Sequence, residues 1–337
     1  MPLTGWRLPA LHYPFPPEIH PRAAAGEAHL LDWVRREGLI TSEREFAVFA
    51  RAGFGELVAR EFPEATGEGL ELACEMYAWH FVFDDRYCDQ PGADWGTAQL
   101  GLAVLRVLTA AEESLASGHA LVPGYTDDAC ARALVGICRR LAALGSPVQV
   151  ERFLAAERMY LLGALAQSAT TTTGGTPAVE EYVTMRHYMC GTPVALAMLD
   201  AAYGFELPEE DYWDPDVQRL CRITAHVTGW ANDVLSYGRE TTSPDEVALN
   251  LPTVLASARA LTAQEALEAA ARMHNEEIAA YLRLEARVMP RADPRLRRFL
   301  GGLRSMMRGF YDWGLATDRY RVGMHFTGST RPLEIRP

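Results

Sequence analysis

At 337 residues, 49% hydrophobic and 23% charged, the chain has the composition of a globular protein with a sizeable core. Its formal charge of −12 argues against nucleic-acid binding, which needs basic patches, and means that an anionic ligand must be met by metal ions or local arginines. All 32 basic residues are arginine, which excludes Schiff-base catalysis and a lysine-bearing phosphate loop.

Residues 1–22 carry six prolines and read as an extended segment or a disordered tail. No charged start is followed by an apolar run, and no apolar stretch reaches about 18 residues, so a soluble, cytoplasmic protein is expected. Helical patterns run over 23–37, over 42–60 behind Thr41 and Ser42, and over 67–88. Two more follow at 94–117 and 126–145; Thr126 reads as the cap of the second, with Asp127 and Asp128 in its first turn. The helix over 148–170 is expected to stop at the poor helix formers Thr170–Thr173, Gly174 and Gly175.

The pattern over 178–202 is interrupted at Cys190, Gly191, Thr192 and Pro193, because proline ends or kinks a helix just before it. Such a break exposes backbone carbonyls. A long helix over 215–240 precedes a loop at 241–246, and helices over 247–258, 262–289 and 294–316 close the chain. The tail 321–337, rich in Gly, Pro and Arg, reads as mobile. With no strand pattern, repeat or linker, the expected fold is all-α, one helical bundle over 23–320. The six cysteines form no CxxC pair, and most fall in helical apolar patterns as reduced core residues.

Two stretches carry chemistry. The apolar, aromatic run from Trp79 ends in Asp84, Asp85 and Asp89, carboxylates that repel unless a cation bridges them or water solvates them. They stand at a helix C-terminus, against the dipole, which bound cations would relieve. In the helix over 215–240, Asn232, Ser236 and Glu240 stand at i, i+4 and i+8 and share one stripe about 12 Å long. Val227, Trp230, Ala231, Val234 and Leu235 surround that stripe, so it looks buried. An amide oxygen, a hydroxyl and a carboxylate form a hard-oxygen set suited to Mg²⁺, although such a stripe taken alone usually faces solvent.

Together the segments DDRYCD (84–89) and NDVLSYGRE (232–240) resemble the paired metal motifs of class I terpene synthases of the bacterial type. Arg186, 46 residues before Asn232, matches the family's diphosphate-sensing arginine, and Arg319-Tyr320 its terminal Arg-Tyr pair. Tyr13 to Pro16, Pro21, Trp33, Gly38 and Leu39 look like its opening, so the resemblance spans nearly the whole chain. It implies a helical bundle around a central active-site cavity, capped in part by the N-terminal segment. It also implies ionisation of an isoprenyl diphosphate with Mg²⁺, three ions when diphosphate is bound.

By the same resemblance, Asp84, with Asp85 and Asp89 in support, and Asn232, Ser236 and Glu240 would hold metal. Arg186, Arg239, Arg319 and Tyr320 would grip diphosphate. Asp89 falls one place later than the usual last acid, where Cys88 stands. Phe81 and Trp313 are lining candidates as well as core candidates, and Cys190, Gly191 and Ala195 leave room at the break. His80 is either a satisfied core histidine or a residue that shapes the pocket.

The reaction expected is cyclisation of farnesyl diphosphate to a sesquiterpene, with geranylgeranyl diphosphate as the second substrate candidate. A prenyl diphosphate synthase would carry two aspartate-rich motifs and lysines, which this chain lacks. A non-catalytic prenyl-binding protein would have no use for both oxygen clusters. Relatives often dimerise, which leaves room for a homodimer.

Overall fold

The computed structural model describes residues 5–87, 97–119, 124–125, 127–241 and 248–321, and the backbone of 324–326. The first helices are α1 (Ala23–Arg36), α2 (Glu43–Arg51) and α3 (Phe54–Glu61). The helix expected over 42–60 is thus two helices, because Gly53 takes φ 67°, a conformation open to glycine and costly for other residues. Next come α4 (Gly67–Tyr87), α5 (Thr97–Ser117) and α6 (Ala129–Leu144). The cap of α6 is Asp128, whose carboxylate accepts from the Ala131 N–H at 3.0 Å; Thr126 lies outside the described residues.

α7 (Pro147–Thr173) opens on a capping box between Ser146 and Gln149 and runs straight through the threonines expected to be a loop. Their hydroxyls donate to carbonyls of the preceding turn, Thr170 to Ala166 at 2.8 Å and Thr172 to Ser168 at 2.7 Å. Low propensity costs only about 0.5 kcal/mol per threonine, too little to stop the helix: Thr171, Thr172 and Thr173 are exposed, and α7, which packs on α8 (Val179–Met189), ends only at left-handed Gly174. The break at 190–193 is present: α9 (Thr192–Ala197) and α10 (Leu199–Ala202) follow it as short helices.

α12 (Pro215–Glu240), after the single turn α11 (Glu209–Tyr212), is the helix on which the bundle is centred. It packs on α8, α9, α14 (Ala263–Val288) and α15 (Pro294–Ala316), and on α13 (Leu251–Arg259) near its C-terminus. Its limits coincide with those expected, set by Asp214 as cap and Pro215 in the first turn. Val227, Trp230, Ala231, Val234 and Leu235 are all buried, in one continuous apolar core.

The expectation of no strand is corrected: β1 (Trp6–Leu8) pairs in parallel with β2 (Met324–Phe326). The described part of residues 1–22 lies against the helices. Tyr13 stacks on Tyr311 at 4.4 Å and bonds His274 at 2.8 Å, and the His20 N–H donates to the Ala59 carbonyl at 2.8 Å. Of the tail expected to be mobile, 324–326 is strand; 322–323 and 327–337 lie outside the described residues. Among the described residues, no helix is long and apolar enough to cross a membrane.

Candidate active site

α4 turns Tyr77, His80, Phe81, Asp84 and Asp85 to one side of the bundle, a spacing of three and four residues. Phe81 stacks on Phe54 with centroids 3.8 Å apart, and the Arg319 guanidinium lies over both rings at 5.3 and 5.5 Å. From there Arg319 forks onto Asp85, its two terminal nitrogens 2.8 and 3.3 Å from the two carboxylate oxygens. Asp85, expected beside Asp84 as a metal ligand, therefore has both oxygens engaged by an arginine. Asp84, half-buried, stands next to it; Asp89 lies outside the described residues. Trp313 sits behind this layer, 1% exposed, its indole N–H donating to the Ala52 carbonyl at 2.9 Å. Its ring meets Tyr320 edge-on at 5.4 Å, so in this structure it is core that backs Phe81 and Tyr320.

On α12, Asn232 and Glu240 are half-buried and Ser236 fully buried. The Ser236 hydroxyl donates to the Asn232 carbonyl one turn back at 2.7 Å, which leaves its oxygen free to accept. Glu240 accepts from the Asn250 amide at 2.8 Å, and Asn250 caps α13 through the Thr253 N–H at 3.0 Å. One carboxylate is thus tied to the start of the next helix. Arg239 and Arg319 lie close enough to Tyr320 for their charges to ease ionisation of its phenol, yet burial dominates and raises it.

The sequence reading missed Asp233. This carboxylate, 2% exposed, accepts from Arg186 Nε at 2.8 Å, from the Tyr182 hydroxyl at 2.6 Å and from the Leu251 N–H at 3.0 Å. Burial works against the Arg186 charge, but Asp233 and Tyr182 outweigh it, so the guanidinium holds its proton more tightly than usual. Arg186 also reaches the Gly229 carbonyl at 3.2 Å and Asn232 Oδ1 at 2.9 Å. The Asn232 amide donates in turn to the Tyr320 hydroxyl at 2.6 Å. Arg186, Asn232 and Tyr320, 134 residues apart in sequence at the extremes, form one chain of hydrogen bonds. A signal did exist: a second acid beside Asn232, on a buried helix, needs a cation.

At the break, the Cys190 sulfur lies 3.3 Å from the His187 carbonyl and 3.6 Å from that of Ala225, and Thr192 bonds Thr228 at 2.7 Å, which ties the kink to α12. The Gly191 carbonyl accepts from the Val194 and Ala195 N–H groups at 3.1 and 3.0 Å, so it belongs to α9. His80 is paired through one ring nitrogen, its Nε2 2.9 Å from Glu157 Oε2.

The donor set suits a hard divalent cation. Among the described residues no three His, Cys, Asp or Glu side chains gather, because α12 offers an amide, a hydroxyl and one carboxylate. Oxygen donors of that mix fit Mg²⁺ better than the softer, nitrogen- or sulfur-loving metals.

A bundle with an aspartate pair ending one helix, an Asn-Ser-Glu stripe on another, and arginines spanning both is that of a class I terpenoid synthase. The model of the terpene synthase family 2, C-terminal metal binding, matches residues 75–280, and the chain belongs to this family. It is 30% identical to the (+)-(1(10)E,4E,6S,7R)-germacradien-6-ol synthase of Streptomyces pratensis, over 93% of this chain and 86% of that one. It is 30% identical to the (+)-corvol ether B/(+)-corvol ether A synthase of Kitasatospora setae, described as (2E,6E)-farnesyl diphosphate cyclizing, over 91% and 92%. Among solved structures it is similar to the 2-methylisoborneol synthase of Streptomyces coelicolor in complex with Mg²⁺ and 2-fluoroneryl diphosphate. The TM-score there is 0.83 at 29% identity, covering 94% of this chain and 99% of that one.

Proposed function

We propose that this enzyme ionises (2E,6E)-farnesyl diphosphate in a Mg²⁺-dependent step and cyclises the cation to a sesquiterpene, releasing diphosphate. The observation that carries the reading is a pair of hydrogen-bonded sets: Arg186 and Tyr320 on Asn232 of α12, and Arg319 on Asp85 beside Asp84 of α4. The farnesyl chain is supported by the names of relatives such as the corvol ether synthase.

Asp84 on one side, and Asn232, Ser236 and Glu240 on the other, would hold Mg²⁺. The bound ions would neutralise charge on the departing diphosphate. Arg186 and Arg319 present planar guanidinium forks and donate to diphosphate oxygens, Tyr320 adds a hydroxyl, and Arg239 stands on the same helix as the α12 donors. Asp233 keeps Arg186 oriented, and Asp85 does the same for Arg319. Beneath them the part-exposed Phe81, backed by buried Phe54, offers a ring face that stabilises a cation by roughly 0.5–2 kcal/mol and sheds water.

The test is GC-MS of extracts after incubating the protein separately with geranyl, farnesyl and geranylgeranyl diphosphates, with and without Mg²⁺. A cyclic product from farnesyl diphosphate only when Mg²⁺ is present is expected. A longer prenyl diphosphate as product, or preference for geranylgeranyl diphosphate, overturns the reaction or the chain length respectively.

A further inference from the structure

His80 lies one turn before Asp84 on the same side of α4, about 6 Å deeper along the helix axis, where the hydrocarbon rather than the diphosphate would sit. Its ring is fixed on three sides. Tyr160 meets it edge-on at 4.5 Å, Trp79 packs against it at 5.3 Å, and Glu157 Oε2 takes Nε2 at 2.9 Å. Glu157 is 0% exposed on α7, and its other oxygen, Oε1, has no hydrogen-bond partner. A buried carboxylate so placed accepts from Nε2–H and fixes the tautomer, leaving the Nδ1 lone pair as the free end of the imidazole.

That free edge faces the break in the α8–α9 helix. A Cβ added at Gly191 would stand 3.7 Å from Nδ1, in ordinary contact with the ring, and would meet no other residue within 4 Å. Gly191 is part-exposed, as are Thr192 and Pro193 after it. Sequence alone gives His80 no task in ionisation, and among the described residues no hydrogen bond joins it to a metal or diphosphate donor.

We propose that His80, backed by Glu157, is the base that takes the proton ending the carbocation sequence, a role that rests on the cyclase reading above. In that step a C–H bond next to the cationic carbon breaks, its electron pair becomes the new C=C bond, and the proton passes to Nδ1. The Glu157 carboxylate balances the imidazolium, and the proton leaves to water once the product has gone. Tyr77, one turn deeper, is a poorer acceptor. Burial raises its phenol well above the ordinary value, and its partner Glu61 is pushed up to about 8, so that pair holds its protons at neutral pH.

The experiment measures, on the purified full chain with farnesyl diphosphate and Mg²⁺, both diphosphate released and products by GC-MS. No diphosphate from the wild type would overturn the cyclase reading itself. If diphosphate is released, the double variant His80→Phe/Glu157→Leu, which removes both partners and strands no buried charge, is compared per diphosphate released. The principal wild-type hydrocarbon should fall at least fivefold, replaced by alcohol or by olefin isomers that lost the proton elsewhere. Glu157→Gln, which keeps the hydrogen bond but not the charge, should give a smaller shift in the same direction. It serves as the deciding variant if the double variant does not fold. An unchanged product set in the folded variants, or a wild type that makes only alcohol, overturns the assignment.

Discussion

The Arg186 guanidinium donates to Asn232 Oδ1 at 2.9 Å, so the amide oxygen that a magnesium ion would use is already taken by a cation of the protein. Metal and arginine compete for that oxygen until a diphosphate gives Arg186 somewhere better to donate. The expected consequence is linkage: Mg²⁺ alone should bind weakly, and inorganic diphosphate should tighten it. Isothermal titration should show at least a tenfold gain, about 1.4 kcal/mol, and Mg²⁺ should tighten diphosphate by the same factor. Equal Mg²⁺ affinity with and without diphosphate would remove the competition argument.

Asp84 and Asp85 are neighbours in sequence with different surroundings. Because both Asp85 oxygens meet Arg319, Asp85→Asn should weaken the grip on Arg319 and lower turnover, on the order of 10–100-fold for one or two charge-assisted bonds. It should leave the Mg²⁺ concentration for half-maximal rate within about twofold of wild type. Asp84→Asn should raise that concentration sharply, and Asp84→Ala or Asn232→Ala should abolish turnover with far-UV circular dichroism unchanged. A Mg²⁺ requirement shifted as strongly by Asp85→Asn as by Asp84→Asn would make Asp85 a ligand after all.

Asp233 joins α8, α12 and α13 at one buried point. Asp233→Ala strands the Arg186 charge and the Tyr182 hydroxyl, and breaking a buried pair in this way costs about 3–5 kcal/mol. Denaturant unfolding should show that loss. Arg186→Met combined with Asp233→Leu should recover more than half of it, because neither charge then stays behind. Additive losses in the double variant would mean that the two side chains act independently.

The long elements were legible because period and caps agreed: Asp214 with Pro215, and Asp293 with Pro294, mark the starts of α12 and α15 without tertiary information. Arg186, Asn232, Arg319, Tyr320 and Asp85 were picked out by spacing and resemblance, and the fold joins Arg186, Asn232 and Tyr320 in one chain of hydrogen bonds and pairs Arg319 with Asp85. Asp233 was not, because a search at i, i+4 and i+8 follows one stripe, and Asp233 lies about 100° round the helix. The β1–β2 pairing was invisible because two three-residue strands, one near each end of the chain, carry no period to read. The α7 threonines misled for the opposite reason: a local preference was clear but small, and their hydroxyls bond back to carbonyls of the helix instead of breaking it.

Glu61 and Tyr77 give the fold a stability that depends on pH. Glu61, 2% exposed on α3, accepts the Tyr77 phenol, and burial raises its carboxyl from 4.5 to about 8. A raised folded-state value means that the neutral acid is the form the fold favours. Its contribution is therefore fully present below pH 4.5 and is lost as the pH rises towards 8. At about 1.4 kcal/mol per pH unit, that window bounds the effect at roughly 5 kcal/mol. Glu61→Gln cannot titrate and keeps an acceptor for the phenol. Its unfolding temperature should match the wild type near pH 5 and exceed it increasingly up to about pH 8. Tyr77→Phe removes the hydrogen bond that lowers the Glu61 value, so it should extend the loss to higher pH. The comparison is a series of thermal scans between pH 5 and 9, read as differences so that other titrating groups cancel; parallel curves for wild type and Glu61→Gln would show that Glu61 ionises as it does in water.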